Sequence, residues 1–136
     1  MKSYKNKMVL LVEDNEGDIV ITTELFEEID ASIIIKIARD GIEAIDFITN
    51  NIDHNLALPN LILLDINLPK KNGFEVLDFI KNNKYTQNIP VIIISTSSTE
   101  KDKKTALEKQ ANDIISKSSD FKDFENYIVN IYDRWL

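Results

Sequence analysis

Five short runs of apolar, mostly β-branched residues recur along the chain, and a stretch with helical periodicity follows each of them. Met8-Val9-Leu10-Leu11-Val12 precedes Ile19, Thr22, Phe26 and Ile29, and Ile33 to Ala38 precedes Ala44, Ile45 and Ile48. Leu61-Ile62-Leu63-Leu64 precedes Phe74, Leu77 and Ile80, and Val91-Ile92-Ile93-Ile94 precedes a polar helical segment whose candidates for burial are Ala106, Leu107 and Ala111. Ile114-Ile115 precedes Phe121, Phe124, Ile128, Ile131 and Trp135, which step by three and four. Runs that do not alternate apolar with polar residues fit strands buried on both faces, which is the condition of a parallel sheet. Asn50 to Asn55 reads as a polar loop, as does Pro69 to Gly73. Ser97 with Glu100, and Thr99 with Asp102, have capping-box spacing and predict a helix start near residue 100.

Five β-α units joined by right-handed crossovers predict an α/β fold, a (βα)5 doubly wound parallel sheet of flavodoxin-like order 2-1-3-4-5. Ligands of such sheets bind beyond the carboxyl ends of the strands, at the switch between strands one and three. Glu13-Asp14 and Asp65 end those two strands, and Ser95 and Lys117 end strands four and five on the same edge.

A length of 136 residues, 43% of them apolar, with three Gly and three Pro, fits one compact domain over 1–136, its core at about 7–135, with no linker or output domain. The lack of cysteine excludes disulfide and thiolate-metal chemistry and fits a reducing compartment. The amino-terminal segment has too few apolar residues for a signal or a membrane span, so a cytoplasmic protein is expected. A formal charge of −7 repels phosphate backbones and argues against direct nucleic-acid binding.

Three carboxylates and an ammonium on one edge are costly to assemble, and a divalent cation is the simplest relief. Carboxylate oxygens, a backbone carbonyl and water are what Mg²⁺ prefers, usually beside phosphoryl oxygens. Asp65 is placed to attack phosphorus and form an aspartyl phosphate, with Lys117 and Ser95 meeting the transferred charge.

The sequence Leu10-Leu11-Val12-Glu13-Asp14, then Leu64-Asp65-Ile66-Asn67-Leu68-Pro69 with Gly73, then Ser95, then Lys117, resembles the response-regulator receiver domains of two-component signalling. The resemblance runs from about residue 7 to the carboxyl end. The run from Glu13 to Asp18 and the Thr-Ser-Ser after Ser95 are most similar to phytochrome-associated single-domain regulators. The resemblance implies that Asp65 accepts a phosphoryl group from a sensor histidine kinase or phosphotransfer protein. Asp14 would bind Mg²⁺ directly, Glu13 through water and Asn67 through its carbonyl. Ser95 and Lys117 would engage the phosphoryl oxygens, and the face of helix four, strand five and helix five would shift towards a downstream protein target. Exposed terminal aromatics would support a homodimer.

Three positions depart from the family pattern. Ile114 stands where a Tyr or Phe is common, Ser118 follows Lys117 where a Pro is typical, and Gln110 occupies a frequent Gly position. These leave a pseudo-receiver adaptor, independent of phosphorylation, as an alternative. A haloacid-dehalogenase-type phosphatase is a weaker one, because Asn67 stands where that family has an Asp acid. An FMN-binding flavodoxin relative is disfavoured for want of a hydroxyl-rich phosphate loop after strand one. His54 and Lys101, Lys103, Lys104 and Lys109 read as solvated surface.

Overall fold

The computed structural model describes residues 6–68, 72–95, 99–117 and 120–136. Its strands are β1 (Met8–Val12), β2 (Ile34–Ala38), β3 (Leu61–Asp65), β4 (Val91–Ser95) and β5 (Asp113–Ser116). Its helices are α1 (Glu16–Ile29), α2 (Gly41–Asp53), α3 (Gly73–Lys81), α4 (Glu100–Glu108) and α5 (Phe121–Trp135). The strands form one sheet of order β2-β1-β3-β4-β5, parallel at every pairing, as the alternation predicts.

Because successive side chains of a strand point to opposite faces, each apolar run feeds two cores. Leu10, Val12, Ile62, Leu64 and Ile93 pack on Ala44, Ile48, Val76, Leu77 and Ile80 beneath α2 and α3. Val9, Leu11, Leu61, Leu63 and Ile92 pack on Ile19, Leu25, Phe26, Ile128 and Ile131 beneath α1 and α5. Each buried Leu or Ile contributes about 1.5–3 kcal/mol relative to exposure. The central strands are therefore the firm part of the fold, and β2 and β5 form its half-covered edges.

The helix starts are set by side chains that take up orphan amide protons. Asn15 caps α1 by accepting from Asp18 N at 3.0 Å, and Asn72 with Glu75 forms a capping box on α3. The Thr99–Asp102 box is present at α4; Ser97, the other cap expected there, lies outside the described residues, as do Pro69 and Ser118.

Several local expectations are corrected. Residues 50–53 continue α2 instead of forming a loop, because Asn51 is buried with its Nδ2 donating to Ala57 O at 2.8 Å, while Ile52 packs on the core. The reversal comes at Asn55, whose φ of 53° closes the helix: its N–H reaches Ile52 O, and Leu56 N–H reaches Asn51 O. Leu107, Ile29 and Phe121 are exposed, and Leu25 and Val76 occupy the inward stripes. Lys109 is not simply solvated; its Nζ donates to Asp78 Oδ2 at 2.7 Å and ties the end of α4 to α3.

The end of α4 resolves the Gln110 departure. Gln110 N–H bonds to Leu107 O and Ala111 N–H to Ala106 O, the Schellman pattern, with Gln110 at φ 70° in the position that favours glycine. A left-handed non-glycine residue costs about 1–2 kcal/mol, partly offset by the lower unfolded-state entropy of Gln. Gly73 is constrained in the opposite sense. A Cβ there would lie 2.4 Å from Ile66 Cα and 2.6 Å from Asp65 O, so α3 can approach the end of β3 only with glycine at this point.

Two stability changes follow, both measurable by denaturant titration. Gln110→Gly stabilises the protein by about 0.5–1 kcal/mol. Gly73→Ala destabilises it by about 1–3 kcal/mol, because backbone must move to admit the methyl group.

Candidate functional site

Register places the site. Val12 pairs with Leu64 across β1 and β3, so Glu13 and Asp65, the next residue on each, stand side by side at the carboxyl edge. Asp65 pairs with Ile94 and Ser95 with Ser116, which brings the ends of β4 and β5 to the same level. Lys117 leaves β5 with its N–H donating to Ser95 O at 2.6 Å. The strands bring together Glu13, Asp65, Ser95 and Lys117, with Asp14 beside them.

The Lys117 ammonium is the centre of the arrangement. Its side chain is 12% exposed, and its Nζ donates to Glu13 Oε1, to Asp18 Oδ2 at 2.9 Å and to Asp65 Oδ2 at 3.4 Å. Burial opposes the ammonium charge. The hydrogen bonds from Glu13 and Asp18 and the charges of Glu13 and Asp65 outweigh it and hold the pKa of Lys117 above its ordinary value.

Glu13 is 3% exposed, and its Oε2 accepts from Asp14 N at 3.1 Å and Asn15 N at 3.2 Å. Burial pushes its carboxyl up to about 7, against the lowering effect of Lys117 and with a further rise from the Asp65 charge. Asp65 is 8% exposed, with Oδ1 accepting from Asn67 N at 2.8 Å and Oδ2 turned to Lys117. Ser95 is fully buried, and its Oγ lies 3.4 Å from Asn67 Nδ2. Asp14 is exposed at the mouth.

Carboxylate oxygens of Glu13, Asp14 and Asp65 all lie within 4.8 Å of one another. Three hard oxygen donors with one ammonium between them fit a divalent cation, because Lys117 cannot balance their charge and exposed Asp14 leaves an approach from solvent. This acidic cluster is the candidate metal centre.

Asp18 is the site residue that strand-end reasoning missed. It lies in the first turn of α1, three residues after the Asn15 cap. An acidic residue in the first turn of the helix that follows β1 was the available signal.

Away from this edge, a groove of about 650 Å³ lies along β5 and α5, lined by Ile114, Ile115, Tyr127, Ile131, Arg134 and Trp135 among others, and no residue of the acidic cluster lines it. Ile114 is partly buried and packs against the core that contains Ala106 and Ala111. No helix among the described residues is long and apolar enough to cross a membrane. No cis peptide occurs among them, and the Lys117–Ser118 bond lies outside them.

Comparison with known proteins agrees with this geometry. The response regulator receiver domain family matches residues 9–129. Response regulator Rcp1 of Synechocystis sp. is 38% identical over 136 residues, covering 99% of this chain and 92% of that protein. The crystal structure of the Mn²⁺-bound form of Rcp1 superposes with a TM-score of 0.86, over 96% of this chain and 94% of that one, at 38% identity. That of the phosphorylated cyanobacterial phytochrome response regulator RcpA gives a TM-score of 0.89 at 35% identity, with the same coverage.

The raised pKa of Glu13 predicts how cation binding depends on pH. A cation needs the carboxylate, so below about 7 it must displace a proton from Glu13. Affinity for Mg²⁺ or Mn²⁺, measured by calorimetric titration, therefore falls by about tenfold for each pH unit below that point and levels off above it. A flat profile between pH 5 and 8 would show Glu13 already ionised in the cation-free protein.

Proposed function

The chain belongs to the response regulator receiver domain family, and from that membership we propose that Asp65 is the phosphoacceptor of this two-component signalling protein. The observation that carries the assignment is the Asp65 carboxylate, held at the end of β3 by Asn67 N–H with its other oxygen facing Lys117. Oδ2 attacks the phosphorus of a phosphohistidine on a sensor histidine kinase or phosphotransfer protein. The P–N bond breaks, and its electron pair stays on the imidazole nitrogen. Lys117 Nζ and Ser95 Oγ donate to the phosphoryl oxygens, so the charge that develops in transfer is met by an ammonium and a hydroxyl held at the same sheet edge. Mg²⁺ is the proposed cation, held by Glu13, Asp14, Asp65 and the Asn67 carbonyl, where it would neutralise phosphoryl charge. The protein is not a conventional enzyme, because the group it activates is its own.

The output is a population shift, and the phosphoryl group must interact unequally with the two states to drive it. Helix α4 is the element suited to move, since only Ala106 on it is buried and its carboxyl end is closed by a strained Gln110. With Ile114 packed on the core there is no phenol to swing on β5. The change instead runs from Ser95, at the end of β4, to α4. The groove along β5 and α5 is the proposed surface for a downstream protein target or a second copy of the chain. The chain acts as a cytoplasmic regulator, and its likeness to the phytochrome response regulator RcpA supports a phytochrome-type kinase as the donor. Asp65 ends the third strand, whereas the phosphatase alternative places its nucleophile on the first.

Intact-protein mass spectrometry tests the assignment. Incubation with Mg²⁺ and acetyl phosphate gives a single, hydrolytically labile phosphoryl adduct on the wild type and none on Asp65→Asn. An adduct that persists on Asp65→Asn would overturn it. A wild type that stays unmodified with every donor would favour the phosphorylation-independent adaptor.

A further inference from the structure

An ammonium has three protons to donate. In this structure Lys117 directs them at Glu13, Asp18 and Asp65, so all are engaged before any phosphoryl group arrives. The three contacts are unequal. Asp18 holds the ammonium at 2.9 Å and Glu13 also accepts from it, whereas Asp65 lies at 3.4 Å. Lys117 is thus drawn towards the β1–α1 side of the site and away from the acceptor oxygen. Asp18 is fixed there by its helix, since its N–H is taken by the Asn15 cap and a carboxylate is favoured in a first turn by the helix dipole.

We propose that Asp18 is a positioning residue for Lys117 that competes with a phosphoryl group on Asp65 for the ammonium. The inference rests on the reading of Asp65 as the phosphoacceptor. To close on a phosphoryl oxygen the ammonium must move towards Asp65 and loosen its bond to Asp18. Asp18 therefore stabilises the unphosphorylated site more than the phosphorylated one, and differential contact of this kind shifts an equilibrium between two states. Its side chain is 37% exposed, so the carboxylate can turn to water when the ammonium leaves. Glu13, buried and bonded to two backbone amides, cannot. Asp18 sets how tightly the site holds a phosphoryl group without touching that group.

The test is equilibrium binding of beryllofluoride, a phosphoryl mimic, in the presence of Mg²⁺. Fluorine NMR follows the adduct on wild type, Asp18→Asn and Glu16→Gln. Glu16 lies in the same helical turn, pairs with Arg39 at 3.1 Å and makes no contact with Lys117, so its variant removes an equal charge from the same region. Asp18→Asn is expected to bind about three- to fivefold more tightly than wild type, the range that a partly exposed ion pair supports. Glu16→Gln is expected to bind like wild type. Nitrogen-15 NMR of the lysine ammonium groups supplies a readout independent of the mimic: proton exchange at Lys117 speeds up in Asp18→Asn and not in Glu16→Gln. Equal or weaker binding by Asp18→Asn, or an equal shift in both variants, would overturn the proposal. A folded wild type that forms no adduct at all would overturn the reading of Asp65 as phosphoacceptor.

Discussion

Everything at the working edge of this protein depends on one buried cation. Glu13 and Asp65 are almost sealed from solvent, and their oxygens approach within 4.8 Å. Two like charges at that distance repel by about 3 kcal/mol at an effective dielectric near 20. Lys117 makes their proximity tolerable by bonding to both, and it is itself kept charged by them. Without the ammonium, one of the two carboxyls would have to take up a proton or move into solvent. The balance is still incomplete, since Asp14 and Asp18 add negative charge around a single positive one, and this leaves the cluster receptive to a divalent cation.

That chemistry is possible only because the sheet ends are level. Parallel pairing through β1, β3, β4 and β5 brings Glu13, Asp65, Ser95 and Lys117 to one edge without any long loop having to position them. Rigidity is graded across the same sheet. The central strands are packed on both faces, and Gly73 lets α3 lie directly against the backbone at Asp65, so Asp65 is firmly seated. On the β4–β5 side the packing thins to α4, which buries one residue and ends at a left-handed Gln110. A firmly seated strand-end carboxylate next to a loosely held helix suits a protein whose local covalent change must be read at a distance.

Much of the fold was legible in the sequence because a strand covered on both faces has no polar position to interrupt it. The runs at 8–12, 61–64 and 91–94 are unambiguous for that reason, and the alternation of runs with helices implies a parallel sheet, for which 2-1-3-4-5 is one of the two common doubly wound orders. Helix boundaries were harder to read. Residues 50–53 are polar in composition, yet they are helical because Asn51 turns inward to bond Ala57 O, a contact that composition cannot reveal. Leu107 is apolar and exposed because the short α4 turns a single small residue, Ala106, towards the sheet.

The sequence by itself determined which groups stand at the strand ends, since a residue that directly follows a buried strand has only the sheet edge to occupy. Glu13, Asp14, Asp65, Ser95 and Lys117 were identifiable on that ground. Only the tertiary structure decided how the ammonium is shared. The pairing of Lys117 with Asp18 joins residues 99 positions apart. It depends on the angle at which α1 leaves β1 and on the reach of a flexible lysine side chain. Periodicity encodes which face of a helix is buried, but not which of several nearby carboxylates an ammonium will choose.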